Sequence, residues 1–404
     1  MSLRLSLSPV TLPLCLIVSS FLFFGCSGTK IVRNENAVFF PEPPSPPRVQ
    51  FLHSYTGSLD VVESTSSFDT FLVGRQQEHF ELVKPFGAMI QDGKIYICDT
   101  QASLMVIDLD NKTFRRMEGA RGLGKVIQPM NVSGDGDGNK FVSDPVRGEV
   151  LMYDKNDLYV KSFGLAGYWK PLDTAAYEGL LYVADAKNRN ITVFDIKTAK
   201  KLRQLGQQRK EGNNLGLPTS IAIGPDGLLY ISDAARFQIV IMDRDGHELS
   251  TIGRSGVNLG HFARPRGVAV DRNGHVYVAD GAFENVQIFR KDGQLLLPFG
   301  GSGALPGHLF LPAGVSIDYD NVEYFQQYAD PRFKIEFLII VVSQFGERLV
   351  NIYGFGVEEG RTYPTDKELA DNAEKKIKKW QDELRLEAED NEDDAGTDVE
   401  NKKK

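Results

Sequence analysis
Short apolar runs rich in Val, Ile, Leu and Tyr recur along this chain, each bounded by Gly, Pro, Asn or Asp, a pattern that predicts β-strands joined by tight turns. The clearest stretch reads Pro265-Arg266-Gly267-Val268-Ala269-Val270-Asp271, then Asn273-Gly274, then His275-Val276-Tyr277-Val278-Ala279-Asp280, then Val286-Gln287-Ile288-Phe289. Prolines open equivalent units at Pro85, Pro129, Pro171, Pro218, Pro265 and Pro312, spaced by 42 to 47 residues. A repeat of that length, containing four strand-like runs, is one blade of a β-propeller, and six units imply six blades. Asp92-Gly93, Asp226-Gly227 and Asn273-Gly274 fall at the first hairpin of their units, where Asp or Asn before Gly suits positive φ.

The ends of the repeat array predict how the ring closes. The last unit, through Leu349-Val350-Asn351-Ile352-Tyr353, lacks an outer strand, while a strand-like stretch from Arg48 to Tyr55 stands unpaired before the first. That stretch is expected to complete blade six, removing an exposed sheet edge. The propeller is thus placed at residues 48–356. An insert from Asp320 to Phe333 interrupts blade six. It carries Tyr324, Phe325, Tyr328 and Phe333, and reads either as a helix packed over the blade or as an interaction element.

The pattern closely resembles the NHL repeat family of six-bladed propellers. The resemblance is carried by Ala184-Asp185-Ala186-Lys187-Asn188-Arg189-Asn190-Ile191, by Ser232-Asp233, and by the glycine-rich connectors from Gly253 to Phe262 and from Gly300 to Phe310. It covers about residues 85–356. Units one, two and six depart from it, with Ala102 and Arg147 in place of Asn and Ser343-Gln344 in place of Ala-Asp.

Upstream, Arg4 precedes an apolar stretch from Val10 to Phe24, followed by Gly25-Cys26. Residues 1–25 read as an export signal. Gly25-Cys26 resembles a bacterial lipobox, which implies cleavage before Cys26, lipid attachment to it, and a cell-envelope location; Ser27 favours the outer membrane or its periplasmic face in a Gram-negative cell. Residues 26–47 are expected to form a lipid anchor and a stiff spacer, because the run Pro41-Glu42-Pro43-Pro44-Ser45-Pro46-Pro47 favours polyproline II. At the other end, residues 357–404 predict a helix opened by Thr365 and Glu368 in capping-box spacing, then a disordered acidic tail.

Catalytic signals are scarce. Cys15, Cys26 and Cys98 include no haem-attachment motif, and Cys98 reads as a small core residue. Asp135-Gly136-Asp137-Gly138-Asn139 imitates a calcium loop, but Lys140 replaces the required Gly and Val146 the bidentate Glu, so a turn is expected. The six histidines are scattered, and His261 and His308 occupy equivalent connector positions, which points to packing. No cofactor is expected. A net charge of −8 with an export signal argues against nucleic acid, although NHL relatives include RNA binders. Arg147, Lys187, Arg189 and Arg236 follow strand-end aspartates and are expected on one rim, as solvated residues or as a site for an acidic partner.

Two functions follow. The leading expectation is a membrane-anchored, non-catalytic scaffold of the bacterial envelope that docks another envelope protein through a propeller face and the insert, with Tyr324 and Tyr328 as contacts. The alternative, implied by lactonases and a lyase among related propellers, is an enzyme with a metal bound in the channel.

Overall fold
The computed structural model describes residues 36–61, 79–101, 103–207, 214–365 and 368. Cys26, the export signal and nearly all of the predicted C-terminal helix and tail lie outside the described residues. At the start of that helix, Thr365 and Glu368 make the reciprocal capping bonds, with Thr365 N donating to Glu368 Oε2 at 2.7 Å and Glu368 N to Thr365 Oγ1 at 3.2 Å.

The described chain forms a six-bladed β-propeller. Five blades are four-stranded antiparallel sheets that run in sequence order from the inner to the outer strand. Their inner strands are Pro85–Gln91, Asn131–Gly134, Pro171–Tyr177, Pro218–Ile223 and Pro265–Val270. Second and third strands are buried almost throughout, whereas outer strands such as Lys201–Leu205 face water along most of their length. Large aromatic residues in the second strands, Tyr96, Phe141, Tyr182, Tyr230 and Tyr277, fill equivalent fully buried positions between blades.

Antiparallel strands divide the molecule into two ends. One, the connector face, carries the blade-to-blade connections and the turns between second and third strands. The other, the hairpin face, carries the first and last hairpins of each blade. At the connector face the last residue of each second strand is a buried aspartate, Asp99, Asp144, Asp185, Asp233 or Asp280. Each carboxylate accepts backbone N–H groups both from its own turn and from the segment entering the blade. Asp233, for example, accepts from Gly216 at 2.6 Å, Leu217 at 2.8 Å, and Ala235 and Arg236 at 3.2 Å.

Blade six closes the ring as the sequence predicts. Val49–Tyr55 pairs with Val350–Glu358, with Tyr55 opposite Val350 and Val49 opposite Phe355. The proline run differs from the expected spacer. Phe39–Phe40 adds a fifth strand by pairing with Gln50 and Val49, so residues 41–47 form the loop of a hairpin. Tyr363 clamps that loop by donating to Pro47 O at 2.8 Å, and Arg48 stacks over Phe355 and Tyr363. Pairing and aromatic burial override the extended preference of the prolines, and the folded unit reaches from Asn36 to Tyr363 instead of 48–356.

Two outcomes follow. Phe39 is buried against Phe333, with ring centroids 5.6 Å apart. Phe39→Ala should therefore lower stability in urea by about 3 kcal/mol, whereas a free spacer would show no change. Asp233→Ala strands four N–H groups and should cost about 3 kcal/mol in the same measurement; a loss within error would refute the role given to the strand-end carboxylates.

Candidate functional site: the channel and its two ends
The second residue after each blade-opening proline meets its counterparts around the central channel. These residues are Gly87, Asn131, Asp173, Ser220, Gly267 and Gly314. On one side, three polar members bond to each other: Asn131 Nδ2 donates to Asp173 Oδ1 at 2.7 Å, and Ser220 Oγ donates to Asp173 Oδ2 at 2.5 Å. Backbone N–H groups of Thr174 and Ile221 also donate to Asp173, at 2.7 and 2.9 Å. On the other side the backbones approach so closely that a Cβ on Gly267 would lie 2.7 Å from Val315 N, and one on Gly314 2.7 Å from Phe86 O. Only glycine fits there.

This ring separates two cavities. Toward the hairpin face lies an open one of about 580 Å³, bordered by the ends of all six inner strands and by Asp135, Tyr177, Arg272, Tyr319 and Asp320. Toward the connector face lies a smaller one of about 220 Å³, lined by Phe86, Leu172, Thr219 and Arg266. Arg266 spans that end, stacking over Phe86 and donating to Gln344 Oε1 at 2.8 Å. Burial holds its guanidinium below the usual arginine range, with the nearby Arg264 charge adding to the effect.

Asp173 carries the strongest chemical perturbation in the channel. Loss of hydration on burial outweighs its four hydrogen bonds and raises its carboxyl to about 6. The residue is 4% exposed, and each carboxylate oxygen already accepts two hydrogen bonds, Oδ1 from Asn131 and Thr174 and Oδ2 from Ser220 and Ile221. Among the described residues, no three His, Cys, Asp or Glu side chains converge to hold a metal. The Asp135 loop is a turn, with the carboxylate accepting from Asp137 N at 3.0 Å and Asn139 N at 2.9 Å. Cys98 is fully buried and burial pushes its thiol up, as suits a core residue. His261 accepts from Arg254 Nε at 2.8 Å within its connector.

The residues singled out from the sequence lie at opposite ends. Tyr324 and Tyr328 belong to the blade-six insert at the hairpin face. There Val322–Gln326 forms a short helix, Phe325 and Phe333 are buried, and both tyrosines are half-buried, with Tyr328 stacked on His53 at 4.8 Å. Arg147, Lys187, Arg189 and Arg236 lie at the connector face in blades two to four. They form no free cationic cluster: Arg147 pairs with Glu149 at 2.5 Å, and Arg236 grips Glu248 through two bonds of 2.7 Å. In both cases the acid comes from the same blade, so the charge is spent within it. Lys187 reaches Gly167 O, and Lys187 and Arg189 remain exposed. The channel ring was missed from the sequence, although its register, two residues after each proline, is visible there.

Residues 262–290 match the family model of the NHL repeat. No curated protein matches the sequence. Among solved structures, a protein of unknown function from Bacteroides thetaiotaomicron superposes with a TM-score of 0.53 at 17% identity, over 68% of this chain and 70% of that one. An auxiliary nutrient binding protein from the same organism gives 0.51 at 12% identity, over 68% and 70%. Virginiamycin B lyase from Staphylococcus aureus gives 0.45 at 13% identity, over 71% and 86%. The chain is thus a six-bladed β-propeller carrying an NHL repeat, and at these identities the structural likeness speaks to fold alone.

The raised Asp173 carboxyl has a definite pH signature. Because its folded value lies above the ordinary 3.8, its contribution favours the folded state below pH 4 and is lost as pH rises toward 6. The stability of the native chain relative to Asp173→Asn should therefore fall by about 3 kcal/mol across that window and stay level above it. A difference that does not change with pH would show that burial leaves the Asp173 carboxyl at its ordinary value.

Proposed function
We propose that this protein is a non-catalytic binding scaffold of the bacterial cell envelope, tethered through a lipid on Cys26, which docks another envelope protein at its hairpin face. The observation that carries this reading is the blade-six insert, the one long interruption within a blade among the described residues. It stands beside the open 580 Å³ cavity with its tyrosines half-exposed. Tyr and Phe supply much contact area for little lost side-chain freedom, which is why they dominate interface hot spots. Arg272 stacks on Tyr319 at 3.9 Å, fixing an aromatic plane at the cavity rim.

The charge of this rim defines the partner chemistry. Asp92, Asp137, Asp320 and Glu323 are exposed in or beside the inner hairpins, against Arg272, while Glu178 and Asp226 are paired there with Arg244 and Lys291. A basic segment is the complementary partner. This replaces the acidic partner that the arginines of the opposite face would have suggested. The enzymatic alternative has no comparable support, since both oxygens of the channel's buried acid already accept hydrogen bonds.

The test is a photo-crosslinking residue at Tyr324 in the full-length chain, expressed in its own envelope. One dominant adduct should form, and Asp320→Lys with Glu323→Lys should reduce it at least tenfold while leaving the thermal transition in place. An adduct unaffected by charge reversal, or one stoichiometric tightly held zinc or calcium in the purified chain, would overturn the reading.

A further inference from the structure
The connector face differs from the hairpin face in a way that neither the repeat nor the channel explains. Among the described residues, every large exposed apolar side chain except Leu158, Val160, Leu202 and Leu249 stands in a blade-to-blade connector or in a second-to-third turn. Each of the six connectors contributes at least one, for example Leu59, Leu123, Tyr168, Leu217, Val257 and Leu305. In five of the blades the strand-end aspartate bonds the end of the connector that enters it, as Asp280 does to Ala263 N at 2.8 Å and Arg264 N at 3.1 Å.

Charge follows the same division. Arg121, Lys125, Lys170, Lys187, Arg254 and Arg264 are exposed at the connector face, against Asp60, Glu81, Glu118 and Glu347. This excess of positive charge occurs in a chain whose net charge is −8. Apolar tips spread around a whole rim and interleaved with lysine and arginine suit a surface that is flat, apolar inside and anionic at its boundary. A protein ligand would be expected to mark one sector of the rim more than the others.

The path of the chain points the same way. Phe39–Phe40 runs antiparallel to Val49–Tyr55, whose last residue lies at the connector face, and Phe51 N donates to Val38 O at 3.0 Å. Val38 lies against Gly307 of the connector between blades five and six. Going upstream from Phe39, the chain therefore heads toward the connector face. Cys26 is ten residues before Asn36, so a lipid there is tethered within about 35 Å of that corner.

We propose that the connector face docks on an anionic lipid bilayer, with its apolar tips in the headgroup boundary and its basic side chains on lipid phosphates, leaving the acidic hairpin face and insert turned outward. The orientation rests on the tether proposed above, but the lipid-binding surface stands without it.

The experiment places a fluorophore on the exported, mature chain through Val257→Cys or Leu305→Cys, with Asp137→Cys at the hairpin face as reference; Cys98 is buried and stays unlabelled. The labelled chains are mixed with phosphatidylcholine vesicles containing phosphatidylglycerol and brominated lipid. Probes at residues 257 and 305 should be quenched severalfold more than the probe at 137, and Lys125→Glu with Lys170→Glu and Arg254→Glu should diminish the difference. Mass spectrometry of Cys26 reports the tether separately. A chain without an acyl group whose connector face is still quenched by anionic vesicles would remove the tether and keep the docking surface. Equal quenching at both faces, or none at 257 and 305, would overturn the proposal, as would protection of this face by an acidic protein in place of lipid.

Discussion
One contact, repeated five times, holds the propeller's periodicity in place: a buried carboxylate at the end of the second strand that accepts backbone N–H groups from two segments far apart in sequence. Backbone donors in irregular connectors have no strand partner and would be costly to bury unpaired. An ionised acceptor satisfies several at once and bonds them more strongly than a neutral one. Because Asp99, Asp144, Asp185, Asp233 and Asp280 each join a blade's own turn to the segment entering it, the connectors are fixed relative to the sheets. Blade six has Ser343 and Gln344 instead. Ser343 Oγ accepts from Phe310 N at 3.2 Å and, at 3.5 Å, from Asn351 Nδ2 of its own blade, and Gln344 turns to Arg266. That blade gains stability elsewhere, from a fifth strand, from the packed insert, and from Arg332 and Arg361 paired with the buried Glu358.

The features that could be read from the sequence are those written locally and repeated. Prolines at blade openings, Asp-Gly hairpins and alternating apolar strands each depend on a few neighbouring residues, and their period gave the blade number. Ring closure was also readable, because an unpaired strand and a missing strand are complementary gaps. What escaped depends on contacts between distant segments. Lys140 looked like no more than the residue that spoils a calcium loop. It is in fact fully buried, paired with Asp157 at 2.9 Å and capped by Tyr96 of the preceding blade. The proline run looked extended because nothing local shows that Phe39 has a pocket beside Phe333. Arg236 looked available because pairing with Glu248 requires strand register to bring them together, whereas the partner of Arg147, Glu149, stands only two residues on and was readable.

The candidate site was harder still. No single blade shows that the second residue after its proline is special, and the meaning of Gly87, Asn131, Asp173, Ser220, Gly267 and Gly314 appears only when six strands converge on one axis. Their chemistry is unequal. Blades two, three and four contribute the hydrogen-bonded arc, whereas blades five, six and one contribute glycines and pack backbone against backbone. The two solutions achieve the same closure by different means, and the polar one carries the cost of a dehydrated carboxyl.

The position of this ring also bears on where function can reside. It lies between the two cavities, so the two faces present chemically different surfaces. The hairpin face carries the large cavity, the acidic rim and the insert; the connector face carries apolar tips and basic residues on connectors held by buried carboxylates. A repeat fold distributes its stabilising contacts evenly, and a binding surface needs unevenness. Here that unevenness lies in the residues the repeat does not specify: the side chains at connector tips, the length of one hairpin, and the short strand that precedes the array.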